Sequence, residues 1–121
     1  MRILVADDDR IVVHLVASLL RAKGHEVIPV LDAMQAILFA LRPPLPDAII
    51  LDVNMPGGTG VETLKRLKAS RVTAPVPVIV LSGTTDPQMP ERVQALGADV
   101  FLHKPVNPDA LFGALQKVRP G

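Results

Sequence analysis

One unbroken apolar run constrains the fold of this chain more than any other feature. Residues 48–51 are Ala-Ile-Ile-Leu, between Asp47 and Asp52, with no polar alternation. Such a run predicts a strand covered on both faces, as the strands of parallel sheets are. Ligands of these sheets bind outside the carboxyl ends of the strands, which places Asp52 where a site is expected. The alternative is that Asp52 only caps the turn formed by the following Asn, Pro and Gly residues.

Four more apolar runs alternate with helical patterns, which predicts a βα unit repeated five times. The predicted strands are residues 2–6, 26–31, 47–52, 78–81 and 99–102, and the predicted helices are residues 10–23, 32–41, a segment ending near 70, a short segment ending at 97, and 108–118. This alternation predicts an α/β fold in which helices cover both faces of a parallel sheet. Asp9 is the predicted N-cap of the first helix, and Gly24 is its predicted C-cap.

Apolar periodicity predicts which helix faces pack on the sheet. The predicted inward residues are Ile11, Leu15 and Leu19, widened by Val12, Val16 and Leu20, in the first helix; Ala33, Ile37 and Leu41 in the second; Val61, Leu64 and Leu67 in the third; and Leu111, Leu115 and Val118 in the last.

The composition excludes several classes of function. A length of 121 residues fits one domain with one core. The chain lacks Trp and Tyr, and its net charge is only +1, so neither a base-stacking platform nor a DNA-wrapping surface is expected. The absence of Cys excludes disulfides and thiolate metal sites. No segment has the pattern of a membrane span or a signal peptide, so a cytoplasmic domain is expected.

Carboxylates follow the first predicted strand as well as the third. Asp7, Asp8 and Asp9 are adjacent, and two like charges ~4 Å apart repel by about 4 kcal/mol at an effective dielectric near 20. A helix cap accounts for one of the three. Solvated surface charge could account for the others, and this interpretation stays open on these residues alone.

The carboxyl ends of parallel strands lie at one edge, so Ser82 and Lys104 are expected beside these carboxylates. Oxygen donors without Cys suit Mg²⁺ or Mn²⁺. A carboxylate such as Asp52 can attack phosphorus to form an aspartyl phosphate. A Lys and a hydroxyl can hold the phosphoryl oxygens. The edge therefore predicts phosphoryl transfer to an aspartate.

Four motifs at strand ends make the chain resemble the receiver domain of two-component response regulators. They are ILVADDD (3–9), IILDVNMPG (49–57), LSG (81–83) and GADVFLHKP (97–105). The resemblance implies a CheY-like, flavodoxin-like fold: a doubly wound sheet of strand order 2-1-3-4-5 in a three-layer α/β/α sandwich. It also implies that residues 1–121 form a single receiver domain, with no output domain among them.

The resemblance assigns an acceptor and a metal site. Asp52 is the expected phosphoacceptor. Mg²⁺ is expected to bind Asp8, Asp52 and the backbone carbonyl of Asn54 directly, and Asp7 through water.

It assigns the phosphoryl-binding and switch residues as well. Ser82 is expected to hydrogen-bond the phosphoryl group, and Lys104 to pair with it. The bond before Pro105 is expected to be cis, an isomer that is common only before proline. Phe101, together with Ser82, is the expected switch, and residues 86–118 form the expected output face.

The implied function is a signalling switch rather than an enzyme, with catalysis limited to Mg²⁺-dependent self-phosphorylation and self-dephosphorylation. A histidine kinase or histidine phosphotransfer protein is the expected donor, and an unknown downstream protein is expected to bind the 86–118 face. No nucleic acid or membrane is expected as a partner. The chain is expected to be a monomer or a phosphorylation-dependent dimer.

Two alternatives remain at this point. The first is an interaction module of the same fold that works without phosphorylation. The second is an Asp-nucleophile phosphohydrolase resembling the haloacid dehalogenase type. That type has the motif Asp-x-Asp-x-Thr, whereas Asn54 stands at the position of the second Asp here.

Overall fold

Five strands and five helices alternate along the residues that the computed structural model describes, which are 1–53 and 60–119. The elements are β1 (Arg2–Ala6), α1 (Arg10–Ala22), β2 (Glu26–Val30), α2 (Ala33–Ala40), β3 (Ala48–Leu51), α3 (Gly60–Ala69), β4 (Val78–Ser82), α4 (Met89–Ala95), β5 (Val100–His103) and α5 (Pro108–Val118). The predicted order is confirmed. Several predicted helix ends differ by a residue because the prediction includes capping residues, such as Asp32 and Leu41 of α2. The strand ends differ as well, and β4 and β5 each end one residue later than predicted.

The strands form one parallel sheet in the order β2-β1-β3-β4-β5, as the resemblance implied. Ala6 at the end of β1 lies opposite Leu51 at the end of β3. Ser82 at the end of β4 lies opposite His103 at the end of β5. The residues that follow these four strands therefore share one edge of the sheet.

Two apolar clusters hold the sheet between its helices. Alternate strand residues such as Leu4, Ile49 and Val80 pack with α2, α3 and α4 on one face. The intervening residues, such as Ile3 and Ile50, pack with α1 and α5 on the other. Every residue of β3 and β4 is buried, because both faces of the sheet are covered.

The predicted inward face of α1 is wrong in part. Ile11 is 80% exposed and Leu15 is 45% exposed. The buried residues of the helix are Val13, Val16, Ala17 and Leu20. Apolar residues cover more than half of the circumference of α1, so several faces fit a helical period. The face that packs on the sheet is rotated away from the predicted one.

The prediction for α2 is also wrong in part. Ala33, Ala36 and Ala40 are the buried residues, whereas Leu41 is 41% exposed and Ile37 is only partly buried. Small side chains let the helix axis lie close to the sheet, which directs the larger side chains sideways and outward. The predicted inward residues of α3 are confirmed, and so are Leu111 and Leu115 of α5, with Leu64 and Leu111 fully buried. Val118 is only partly buried against the core.

Candidate functional site

Three carboxylates meet at the carboxyl-terminal edge of the sheet. Asp7 and Asp8 follow β1, and Asp52 follows β3. Each offers an oxygen, and these oxygens lie within 4.8 Å of one another. Asp7 and Asp52 are buried, with 2% and 3% exposure, while Asp8 is exposed. The acid cluster, defined as these three residues, thus has two buried carboxylates and one that faces solvent.

Lys104 places a positive charge against the buried part of the acid cluster. Its Nζ lies 2.7 Å from Asp7 Oδ2 and 3.5 Å from Asp52 Oδ2. The backbone N–H of Lys104 donates to the carbonyl of Ser82 at 2.8 Å, which anchors the residue at the end of β5. Burial by itself lowers the pKa of Lys104, but the contact with Asp7 and the charges of both carboxylates outweigh it, and the pKa is raised. Lys104 is therefore a cation throughout the ordinary pH range.

Burial raises the pKa of the Asp7 carboxyl. The contact with Lys104 and the Asp9 N–H, which donates to Asp7 Oδ1 at 2.9 Å, lower the pKa but do not cancel the rise, to which the charge of Asp52 adds. Asp7 Oδ2 is buried without a well-aligned hydrogen bond, although the Lys104 ammonium is near it.

Asp9 does not join the acid cluster among the described residues. Its Oδ1 accepts hydrogen bonds from the N–H groups of Ile11 at 2.9 Å and Val12 at 3.4 Å. The predicted N-cap of α1 is confirmed. The run of three aspartates therefore divides into two members of the acid cluster and one helix cap.

The predicted phosphoryl-binding and switch residues lie on β4 and β5, the two strands that follow β3 in the sheet. Ser82 is fully buried at the end of β4, and its Oγ accepts from the Thr84 N–H at 3.1 Å. Phe101 is half-buried against the apolar cluster of α2, α3 and α4. Its ring meets that of His103 edge to face, with centroids 4.9 Å apart. The Lys104–Pro105 bond is cis.

The contact between Phe101 and His103 was missed from the sequence. The signal for it is their spacing of two along a strand, which puts both side chains on one face. Asn54, the predicted source of a carbonyl ligand, lies outside the described residues, and its role stays a prediction.

Gly60 is a further residue of the site that sequence reasoning missed. Its N–H donates to the carbonyl of Val53 at 2.8 Å. A Cβ at this position would collide with the carbonyl oxygen of Asp52 and the Cα of Val53. The glycine-rich sequence before α3 is the signal that could have found it. At Gly60 the reason for glycine is close approach to the backbone that carries Asp52.

A cavity of about 840 Å³ lies at the opposite edge of the sheet, where Asp47, Pro77 and Asp99 precede their strands. Three of its charged groups, Asp47, Lys68 and Asp99, have structural partners. Lys68 Nζ donates to the carbonyls of Ala74 and Val76 at 3.0 and 2.8 Å, and Asp99 accepts from the Val78 N–H. The chemistry of the chain is therefore assigned to the acid cluster.

Residues 3–116 match the family model of the response regulator receiver domain. The chain belongs to this family. Receiver domains are signalling domains and not conventional enzymes, and this one has the acid cluster to which receiver domains bind Mg²⁺. None of the helices in the described ranges combines the length and the apolarity that a bilayer-crossing helix needs.

Individual relatives agree with the receiver fold. The chain is 33% identical over 119 residues to the phosphate regulon transcriptional regulatory protein PhoB of Escherichia coli, covering 97% of this chain and 51% of PhoB. It therefore spans about half the length of that relative. The structure of the chemotaxis response regulator CheY4 of Vibrio cholerae superposes with a TM-score of 0.88 and 33% identity, covering 97% of each chain.

A third relative was solved with a metal ion. The receiver domain of the sensor histidine kinase PA1611 of Pseudomonas aeruginosa has a TM-score of 0.86 and 28% identity, covering 96% of this chain and 94% of that one. It holds a magnesium ion in its active site cleft. The donors of this chain fit such an ion, because three carboxylates converge with one oxygen from each within 4.8 Å of the others, and carboxylate oxygens are the ligands that Mg²⁺ prefers.

Proposed function

We propose that Asp52 accepts a phosphoryl group in a two-component or phosphorelay pathway. The observation that carries the proposal is the position of this carboxylate at the end of β3. It is 3% exposed, lies in the acid cluster with Asp7 and Asp8, and has the Lys104 ammonium 3.5 Å away. A nucleophile, a cation site and a fixed positive charge are the parts that phosphoryl transfer requires.

Asp7, Asp8, Asp52 and the backbone carbonyl of Asn54 would hold Mg²⁺, with Asp7 acting through water. When bound, the ion neutralises charge on the transferring phosphoryl oxygens. Fitting the acid cluster to a divalent cation also accounts for the grouping of carboxylates that otherwise repel one another.

The residues of the chain have distinct parts in the transfer. A carboxylate oxygen of Asp52 attacks phosphorus, and the bond from phosphorus to the donor breaks with its electron pair leaving on the donor. Lys104 then shifts from Asp7 toward the new phosphoryl oxygens, and the Ser82 hydroxyl donates to one of them. Movement of Ser82 and Phe101 carries the change to residues 86–118, so phosphorylation shifts a two-state equilibrium of that face.

The partners and setting follow from this chemistry. The donor is a histidine kinase or a histidine phosphotransfer protein, and the 86–118 face binds a downstream protein. Through that face the chain acts as a monomer or forms a phosphorylation-dependent dimer. Residues 1–121 act as a single receiver domain in the cytoplasm. Catalysis is limited to Mg²⁺-dependent phosphorylation and dephosphorylation of the domain itself, so no steady turnover of small phosphomonoesters is expected.

Amide NMR with beryllofluoride, a phosphoryl mimic, tests the proposal on the whole chain. We expect the amide signals of Ser82, Phe101 and Lys104 to shift when beryllofluoride is added with Mg²⁺, and not when Mg²⁺ is replaced by EDTA. The Asp52→Asn variant should show no such shift. A folded wild type whose spectrum does not respond would overturn the proposal in favour of a phosphorylation-independent module.

A further inference from the structure

The outward face of α2 is mostly apolar, and Gln35 is the one polar residue of this helix that is exposed. Residues 33–40 contain no charged side chain. Met34, Leu38 and Leu41 are 73%, 59% and 41% exposed, and their spacing of four and three residues puts them on one side of the helix. We define these three side chains as the α2 stripe.

The fold does not need the α2 stripe. Three alanines, Ala33, Ala36 and Ala40, already pack the other side of the helix on the sheet. Surface helices normally carry polar residues opposite their buried face, and a helix that is apolar on all sides is normally buried on all sides. A contiguous exposed apolar patch is typical of an interaction surface.

Charges at the two ends of α2 indicate what covers the stripe. Asp32 caps the N-terminal end, where its Oδ1 accepts from the Gln35 N–H at 2.7 Å. Arg42 follows the C-terminal end, with its guanidinium 4.8 Å from the ring centre of Phe39. A helix with one carboxylate at its start and one guanidinium at its end is complementary to an antiparallel copy of itself.

We propose that α2 packs antiparallel against α2 of a second copy of this chain. A two-fold axis near Leu38 pairs the two Leu38 side chains with each other and places Met34 of one copy opposite Leu41 of the other. The same axis places Asp32 of each copy near Arg42 of the other, and it opposes the two helix dipoles. The surface lies outside residues 86–118, so this dimer is separate from the proposed output face and does not depend on phosphoryl transfer.

The absence of cysteine from the chain makes cross-linking a clean test. Leu38→Cys places one thiol per copy beside the proposed axis. Ile11→Cys places one at a residue that is 80% exposed on α1, which packs on the opposite face of the sheet from α2. Under mild oxidation we expect a disulfide-linked dimer to form at least tenfold faster with Leu38→Cys than with Ile11→Cys. Equal rates for the two variants would overturn the proposal.

Sedimentation velocity measures the same contact without a covalent bond. One short helix gives a small interface, so we expect the unphosphorylated wild type to show dimer only at high concentration, about 1 mM. Leu38→Glu brings two carboxylates together at the axis, and Arg42→Glu removes the charge that is complementary to Asp32. Both variants should therefore sediment as monomers. Ile11→Glu is the control and should sediment as the wild type does. A wild type that is monomeric at that concentration, or a dimer that survives Leu38→Glu, would contradict the proposal.

Discussion

The Lys104 ammonium lies 2.7 Å from Asp7 Oδ2, closer than its 3.5 Å distance to Asp52. The residue proposed to bind the phosphoryl group therefore starts in contact with a proposed metal ligand. A cation held beside Asp7 would weaken the attraction of that carboxylate for Lys104, and a phosphoryl group on Asp52 would offer Lys104 a new partner. This arrangement would connect metal binding, phosphorylation and the end of β5.

Replacing Lys104 by Ala should destabilise the metal-free protein. Two buried carboxylates lose their cation, and removing one member of a buried ion pair costs about 3 kcal/mol. Urea unfolding in EDTA measures the change, and added Mg²⁺ should restore part of the lost stability. Lys65→Ala is the control, because Lys65 is exposed and lies 3.7 Å from Glu62 on the surface, where ion pairs contribute roughly 0–1 kcal/mol. Equal losses for the two variants would contradict the role given to Lys104.

Lys104→Ala should also separate phosphoryl uptake by Asp52 from the change that phosphorylation causes in residues 86–118. With Mg²⁺ present, Lys104→Ala should still take up one phosphoryl group on Asp52, because the nucleophile and metal ligands remain. The amide shifts that phosphorylation causes in residues 86–118 should be lost. If those shifts match the wild type, Lys104 does not couple the site to that face.

Asp7 should give the stability of the metal-free protein a specific pH dependence. Burial raises its pKa above the ordinary value of 3.8. At pH values between the pKa of Asp7 in the unfolded chain and its pKa in the folded protein, the folded protein binds more protons than the unfolded chain. The stabilising contribution of Asp7 is therefore fully present below pH 3.8, and it is lost as the pH rises through the pKa of the folded protein. Asp7→Asn keeps the oxygen that accepts from the Asp9 N–H and removes the titration.

We therefore expect Asp7→Asn in EDTA to be more stable than wild type at neutral pH and nearly equal to it at about pH 4, near the unfolded pKa. Urea unfolding across that range measures the difference between the two proteins. A difference that does not change with pH would show that Asp7 does not titrate as described. Mg²⁺ should stabilise the wild type much more than the variant.

Asp8 and Asp9 are adjacent in sequence, but their substitution should affect the Mg²⁺ dependence of phosphorylation differently. Loss of an outer-shell partner typically weakens metal binding by about 10–100-fold, so loss of the proposed ligand in Asp8→Asn should raise the Mg²⁺ concentration for half-maximal phosphoryl incorporation at least about tenfold. Asp9→Asn should stay within about twofold, because Asp9 caps α1 and Asn is an equally good cap. If Asp8→Asn is labelled as fast as wild type at limiting Mg²⁺, the metal assignment is wrong.

Gly60→Ala should disturb the backbone at Asp52. The added methyl collides with Asp52 and Val53, and overpacking of this kind costs about 1–3 kcal/mol. Phosphoryl incorporation should slow as well, because the nucleophile is displaced. Gly113→Ala in α5 is the matched control, since its Cβ would point into open space and the change should stabilise the helix by about 0.5–1 kcal/mol. Equal changes in stability and in the rate of phosphoryl incorporation for the two variants would contradict the role of Gly60.

The order of the elements and the site edge could be predicted from the sequence because both depend on local patterns. Unbroken apolar runs such as residues 48–51 indicate buried parallel strands, and parallel strands bring their carboxyl ends together. These patterns alone predict that Asp7, Asp52 and Lys104 lie at one edge of the sheet.

The helix faces and close approaches could not be predicted because they depend on tertiary packing. The buried face of α1 includes Val13 rather than Ile11, and apolar periodicity fits both faces. In α2 the residues that pack on the sheet are alanines. The sequence does not specify how closely this helix approaches the sheet, so it does not predict that the small residues face inward. The collision that requires glycine at position 60 involves the backbone of Asp52, eight positions earlier in the chain.

The most direct test of the central claim is intact-mass spectrometry after incubation with acetyl phosphate, with Mg²⁺ or with EDTA, on wild type and Asp52→Asn. We expect one added phosphoryl group on the wild type with Mg²⁺, and none with EDTA or on the variant. An adduct of the same size on Asp52→Asn would contradict Asp52 as the acceptor. A folded wild type that gains no mass and also fails to bind beryllofluoride would contradict the phosphoacceptor function.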